Sequence, residues 1–183
     1  ASDVYKRQLV NYVLCEFNDP LYIVFSSGTT GKPKCITHSI GGVLIQHAKE
    51  HLLHINLTEK QKLFYFTTCG WMMWNWLVGS LFCKSSIILY EGSPFYPNPE
   101  HLWRIADKSE VNVFGTSAKY IDALSKSNTV PKKHFQLHNL RTICSTGSPL
   151  SPESYDYILS NIKSDVQIAS ISGGTDLLSC FVL

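Results

Sequence analysis

Apolar and polar residues alternate in blocks along most of this chain, and the blocks switch between two periods. Leu21 to Phe25 is an unbroken apolar run rich in β-formers, which predicts a buried strand, and Cys35 to His38 predicts a short extended segment. After Ser39, a helix-capping residue, Ile40, Leu44, Ala48 and Leu52 recur every fourth position, with Val43 and Ile45 beside them. That period predicts an amphipathic helix to about Ile55 with these residues inward. Further strands are predicted at Lys62–Thr68, Ser86–Tyr90, Val111–Gly115, Leu140–Thr146 and Val166–Ile171. Helices are predicted at Trp76–Phe82, after Pro99, at Ala118–Ser125 and from Ser151 to Ile162, with Asn128–His138 a polar surface loop. Strands alternating with helices imply an α/β layered fold with a largely parallel sheet. Ligands of such sheets lie beyond the carboxyl ends of the strands. Three polar, glycine-containing clusters follow strands here: Ser26–Lys34, Gly147–Pro149 and Gly173–Asp176. They are expected to converge.

The first cluster reads Ser26-Ser27-Gly28-Thr29-Thr30-Gly31-Lys32-Pro33-Lys34. Glycine allows close backbone approach, hydroxyls add donors and lysines add positive charge, a combination suited to phosphate oxygens. It is not a Walker loop, which needs four residues between its glycines and Ser or Thr after Lys. No G-x-S-x-G elbow of an α/β hydrolase is present. A competing chemistry sits on the first helix. His47, Glu50 and His51 fit the H-x-x-E-H zinc pattern, although His47, His51 and His54 can equally form a solvated face.

Composition adds little that is positive. The 183 residues suffice for one domain with a sizeable core, and the formal charge of +2 gives no reason to expect nucleic acid or a polybasic membrane patch. No apolar run approaches the ~18 residues of a membrane helix. The six cysteines lie apart without a Cys-x-x-Cys pair and read as reduced core residues of a cytosolic protein. The Asn56-Leu57-Thr58 sequon is then coincidental. Ala1 to Gln8 does not merge with the pattern after it and reads as a non-native leader.

The run from Ser26 to Lys34 resembles the phosphate-loop signature of the adenylate-forming superfamily of acyl-CoA synthetases, luciferases and peptide-synthetase adenylation domains. The resemblance extends from about Asp19 to Leu183. It implies that residues 9–183 are part of an AMP-binding adenylation domain, a piece of a longer enzyme without its C-terminal lid domain. It also implies that Gly147, Ser148 and Pro149 form the adenine-binding turn. Gly173-Gly174-Thr175-Asp176 aligns with a motif usually ending Thr-Glu, whose threonine contacts the α-phosphate and whose acid holds Mg²⁺. Asp176 is one methylene shorter than that acid.

The implied site is thus Lys34, Thr175 and Asp176 as the reacting set, with Asp176 on the metal. Ser26, Ser27, Gly28, Thr29, Thr30, Gly31, Lys32, Gly147, Ser148, Pro149, Gly173 and Gly174 would hold the nucleotide. Cys69-Gly70-Trp71-Met72-Met73-Trp74-Asn75-Trp76 is dense enough in rings to be core. The family places the acyl pocket here, and Trp71 and Trp74 would leave room only for a short acid. Among family members the chain looks most like those that activate acetoacetate with ATP and Mg²⁺ and pass it to coenzyme A. Small-molecule substrates are therefore expected, and no protein partner is evident.

Overall fold

A computed structural model describes residues 11–26 and 31–183. Its centre is a parallel sheet of five strands in the order β4-β3-β5-β6-β7: β3 (Lys62–Tyr65), β4 (Ser86–Ile88), β5 (Val113–Ser117), β6 (Thr142–Thr146) and β7 (Gln167–Ser170). The expected α/β architecture is present, and the register explains why these strands are nearly continuous apolar runs. Phe64, Phe114, Ile143 and Ile168 stand side by side in one row, and Tyr65, Gly115, Cys144 and Ala169 in the next. Successive rows face opposite sides. The first packs under α3 (His101–Lys108), α4 (Ala118–Lys126) and α5 (Pro152–Tyr157), where Trp103 stacks on Phe114 at 4.2 Å. The second packs against α2 (Met73–Gly79), through Met73, Trp76 and Leu77. Both faces of the sheet are therefore covered, as parallel strands require. Gly115 is confined by this packing: a Cβ there would stand 2.0 Å from the Tyr65 ring.

The amino-terminal region departs from the expected picture in several ways. The strand expected to be buried, β1 (Pro20–Ser26), pairs antiparallel with β2 (Lys34–Ser39) in a separate two-stranded hairpin. Its Leu21, Ile23 and Phe25 are exposed, at 43%, 61% and 65%. A two-stranded ribbon has no second layer to bury one face against. The helix of the fourfold repeat forms as α1 (Ile40–Lys49), capped by the Ser39 hydroxyl, and continues as a wider π turn over Glu50–His54. Its burial follows expectation only in part. Val43 is buried and Ile40 and Ala48 are half-buried, but Leu44, Ile45 and Leu52 are exposed, whereas His47, Glu50 and His51 are buried, so the inward face is largely polar and the solvated histidine face is not found. Hydrogen-bonding partners for the buried polar groups, given below, account for the difference.

Cys83, Cys144 and Cys180 are buried as expected, but Cys15, Cys35 and Cys69 are exposed; all six are free thiols. Burial pushes the Cys144 and Cys180 thiols up to about 12, so these are inert at neutral pH. The final apolar residues form an element the pattern had not shown. β8 (Ser172–Gly174) turns back on β9 (Ser179–Val182) as an antiparallel hairpin. No helix among the described residues is long and apolar enough to cross a membrane.

Candidate functional site

Cavities open beyond the carboxyl ends of the parallel strands, and two of them bear on the expected site. The first, about 390 Å³, is lined by Trp71–Met73, Thr146–Pro149 and Ser170–Thr175, with Ser179. Each wall follows from local chemistry. β6 ends at Thr146, whose hydroxyl donates to the Ile171 carbonyl at 3.2 Å and fixes the start of the next turn against the end of β7. Gly147 then takes φ +92°, a backbone conformation L side chains rarely adopt, and a Cβ there would lie 4.0 Å from the Trp71 ring. The chain leaves this turn into α5, capped by Ser151 and opened by Pro152. On the far wall, Gly173 sits where a Cβ would come within 2.1 Å of the Ser179 carbonyl, so glycine lets β8 and β9 close up. Gly174 has open space over its Cα.

This cavity brings together Gly147, Ser148, Pro149, Gly173, Gly174, Thr175 and Trp71. Asp176 adjoins Thr175 but is exposed and outside the lining. Trp74 lies on the second cavity, about 540 Å³, with Tyr65, Cys69, Leu77, Tyr90 and Glu91. The two tryptophans taken together as one acyl pocket therefore stand on different cavities. Of the phosphate-loop segment, Ser27, Gly28, Thr29 and Thr30 lie outside the described residues. Ser26 ends β1 and pairs with Lys34; Gly31, Lys32 and Lys34 are exposed and line neither cavity. The hairpin still reaches the site, because His38 on β2 lies 2.9 Å by its Nε2 from the Thr175 carbonyl. Lys34 is roughly 13 Å farther along the strand, four residues at about 3.3 Å each. Sequence reasoning missed His38 and Ser179. His38 lies four positions beyond Lys34 in a stretch read only as extended, and Ser179 precedes an apolar run with no turn signal of its own.

The zinc alternative does not survive the geometry. Among the described residues no group of three or more His, Cys, Asp or Glu is placed to hold a metal ion. Instead His47 Nε2 pairs with the Leu178 carbonyl at 2.8 Å, and His51 Nε2 with the Trp76 carbonyl at 2.9 Å. Burial lowers the pKa of His47 and takes that of His51 down to about 3. Both rings are neutral at pH 7 and donate from Nε2. Glu50 accepts from Trp76 Nε1 at 2.8 Å, Gln46 Nε2 at 3.0 Å, Cys180 N at 3.2 Å and the Ser179 hydroxyl.

Comparison with known proteins gives the family. The chain is 58% identical over 91% of its length to acetoacetyl-coenzyme A synthetase of Rhizobium meliloti (strain 1021), of which it covers 26%. It is 52% identical to acetoacetyl-CoA synthetase of Mus musculus over the same share, covering 25% of that protein. Its fold superposes on acetoacetyl-CoA synthetase from Streptomyces lividans with a TM-score of 0.88 and 42% identity, over 93% of this chain and 27% of that one. The chain thus spans about a quarter of the length of these relatives. The profile of the family described as "AMP-binding enzyme" matches residues 5–180, and the chain belongs to that family.

Proposed function

We propose that this chain carries the nucleotide-binding turns of an ATP-dependent acid–thiol ligase that makes acetoacetyl-CoA from acetoacetate, ATP and coenzyme A. The observation that carries the reading is the first cavity, where Gly147–Pro149 and Gly173–Thr175 face one space with Trp71 between them. That space has the size of small-ligand sites. No charged side chain among the described residues lines it, which suits a flat, uncharged adenine with phosphates directed outward toward Thr175 and Asp176. The relatives above carry the acetoacetate name. Trp71 and Met72 narrow the cavity and favour a short acid.

The chemistry follows from charge. The acid's carboxylate attacks the α-phosphorus and pyrophosphate leaves. The thiol of coenzyme A then displaces AMP and forms the thioester. Repulsion between the carboxylate and the triphosphate is the obstacle, and lysines on the hairpin lower it. Lys32 and Lys34 are exposed and positively charged, and the separation of Lys34 from His38 is one that a triphosphate and a lysine side chain together span. The carbonyl of Thr175 is engaged by His38, which leaves its hydroxyl for the α-phosphate. Magnesium fits this donor set. It is commonly held by one or two carboxylates with substrate phosphates, and Asp176 supplies an exposed one beside Thr175. Bound there, the metal would spread the negative charge that grows on the leaving pyrophosphate. The second cavity, which Trp74 lines, has room for the acyl or pantetheine part of the substrates. Six free thiols fit a cytosolic setting, where cysteines stay reduced, and the substrates are small molecules.

The test is pyrophosphate release by the protein at the full length of its relatives, with acetoacetate, acetate, propionate and longer acids. Acetoacetate should give the highest kcat/KM. A clear preference for another acid contradicts the substrate, and no pyrophosphate with any acid contradicts the ligase.

A further inference from the structure

The H-x-x-E-H segment has a use that the metal reading conceals. Between His38 and Glu50, four side chains reach one short stretch of chain, Thr175 to Cys180. His38 meets the Thr175 carbonyl at 2.9 Å and His47 the Leu178 carbonyl at 2.8 Å. Gln46 Nε2 donates to the Ser179 hydroxyl at 2.9 Å. Glu50 accepts from the Ser179 hydroxyl and from the Cys180 backbone N–H at 3.2 Å. The β8–β9 ladder holds the two ends of the stretch, Gly174 against Ser179 and Gly173 against Cys180. Within the turn, Thr175–Leu178, the backbone bonds outside that ladder are Leu177 N–H to Gly174 and Leu178 N–H to Thr175, both 3.2 Å. Leu178 takes φ +53°, which costs a leucine about 1–2 kcal/mol. Side chains of α1 and of the strand before it therefore add to the β8–β9 ladder in holding this turn.

Glu50 also reaches the opposite wall of the cavity. Its other oxygen accepts from Trp76 Nε1 at 2.8 Å, on the helix that begins two residues after Trp71. One fully buried carboxyl group is thus bonded both to the helix behind Trp71–Met73 and to the hairpin that carries Gly173–Thr175. A carboxylate is acceptor-only, so four converging donors suit it and would not suit an amide. We propose that Glu50 is a positioning residue of the nucleotide site: it fixes the Thr175–Asp176 turn relative to the Trp71 wall without touching a ligand. The inference rests on the proposed function for the identity of the ligand, while the clamp itself is independent of it.

The experiment uses the chain with Glu50→Gln, which keeps the shape and turns one acceptor into a donor, and with Ser179→Ala, which removes one donor and leaves the carboxylate. Two quantities are read: amide hydrogen exchange by residue, and Mg·ATP affinity by calorimetry. In Glu50→Gln, exchange at Leu177, Leu178 and Cys180 should rise about tenfold, the size expected from losing one buried hydrogen bond, with Phe114–Thr116 and Ile143–Ser145 unchanged. Ser179→Ala should reproduce the pattern at about threefold. Mg·ATP affinity should fall with Glu50→Gln, and the loss should be smaller in a Thr175→Ala background, because both substitutions act through one turn. Exchange that rises evenly over the sheet, or affinity losses that simply add, would overturn the inference and leave Glu50 a general stabiliser. If neither this chain nor the protein at the full length of its relatives binds Mg·ATP, the proposed function fails, and the exchange pattern alone decides whether the clamp exists.

Discussion

The parallel sheet and the segment before it handle apolar residues in opposite ways. In the central strands β3, β5 and β6, apolar side chains are buried in register, and Phe64, Phe114 and Ile143 have no exposed surface. From Tyr12 to Leu53, apolar side chains such as Ile23, Phe25, Ile45 and Leu53 are exposed, and most of the buried places go to polar residues, His47, Glu50 and His51 beside Gly41 and Val43. Periodicity locates an element in both regions. It tells which face is buried only where apolar area is what the neighbours offer. Helix α1 lies against backbone carbonyls, a hydroxyl and an indole N–H, and its polar face answers them.

Truncation in the two regions should separate them most. Ile143→Ala removes fully buried methylenes and should cost about 2–5 kcal/mol in urea unfolding, whereas Ile23→Ala on the exposed hairpin should change stability by no more than about 0.5 kcal/mol. Equal losses would erase the distinction between the regions.

Acid should act on the segment with the buried histidines first. A histidine whose folded pKa is depressed contributes stability that is full above its unfolded value near 6.5 and is lost as pH falls, because the unfolded state takes the proton first. For His51 the loss runs from pH 6.5 down to about 3, at about 1.4 kcal/mol per pH unit once the unfolded form is protonated. His47 adds in the same direction. Urea midpoints measured from pH 7 to pH 4 should fall steadily in the parent chain and more gently in His51→Asn. Identical slopes would place the acid sensitivity elsewhere.

Glycines give a smaller contrast. Gly147→Ala must hold φ +92° and should destabilise by about 1 kcal/mol, while Gly31→Ala, with no atom near its Cβ position, should be close to neutral in thermal unfolding. The smallest effect on stability belongs to Lys34→Ala. It should leave the unfolding midpoint unchanged yet weaken ATP binding several-fold in a salt-dependent way, with adenosine binding unaffected.

The sheet was legible in the sequence because strands buried on both faces leave long apolar runs, and because Ser39 and Ser151 mark the starts of helices between them. The turns at Gly147 and Gly173 were legible because close approach and positive φ demand glycine. The direction α1 faces was not legible: it depends on Leu178, Ser179 and Cys180, more than 125 positions away. The β8–β9 hairpin was hidden because its turn, Thr175–Leu178, lacks glycine and is shaped by side chains outside it. The tryptophan-rich stretch spread over two cavities for a simpler reason. Trp71 precedes α2, in the turn before Met73, and Trp74 lies within it, so helical spacing does not hold the two on one face.

The central claim is that three turns share one metal-bound triphosphate. Paramagnetic broadening tests it directly, with Mn²⁺ in place of Mg²⁺ and ATP added to the isotope-labelled chain. The account predicts selective loss of the amide signals of Gly31–Lys32 and Lys34, of Gly147–Ser148 and of Gly173–Asp176, only when Mn²⁺ and ATP are both present. Broadening confined to the hairpin lysines, with Gly147 and Thr175 untouched, would contradict a shared site.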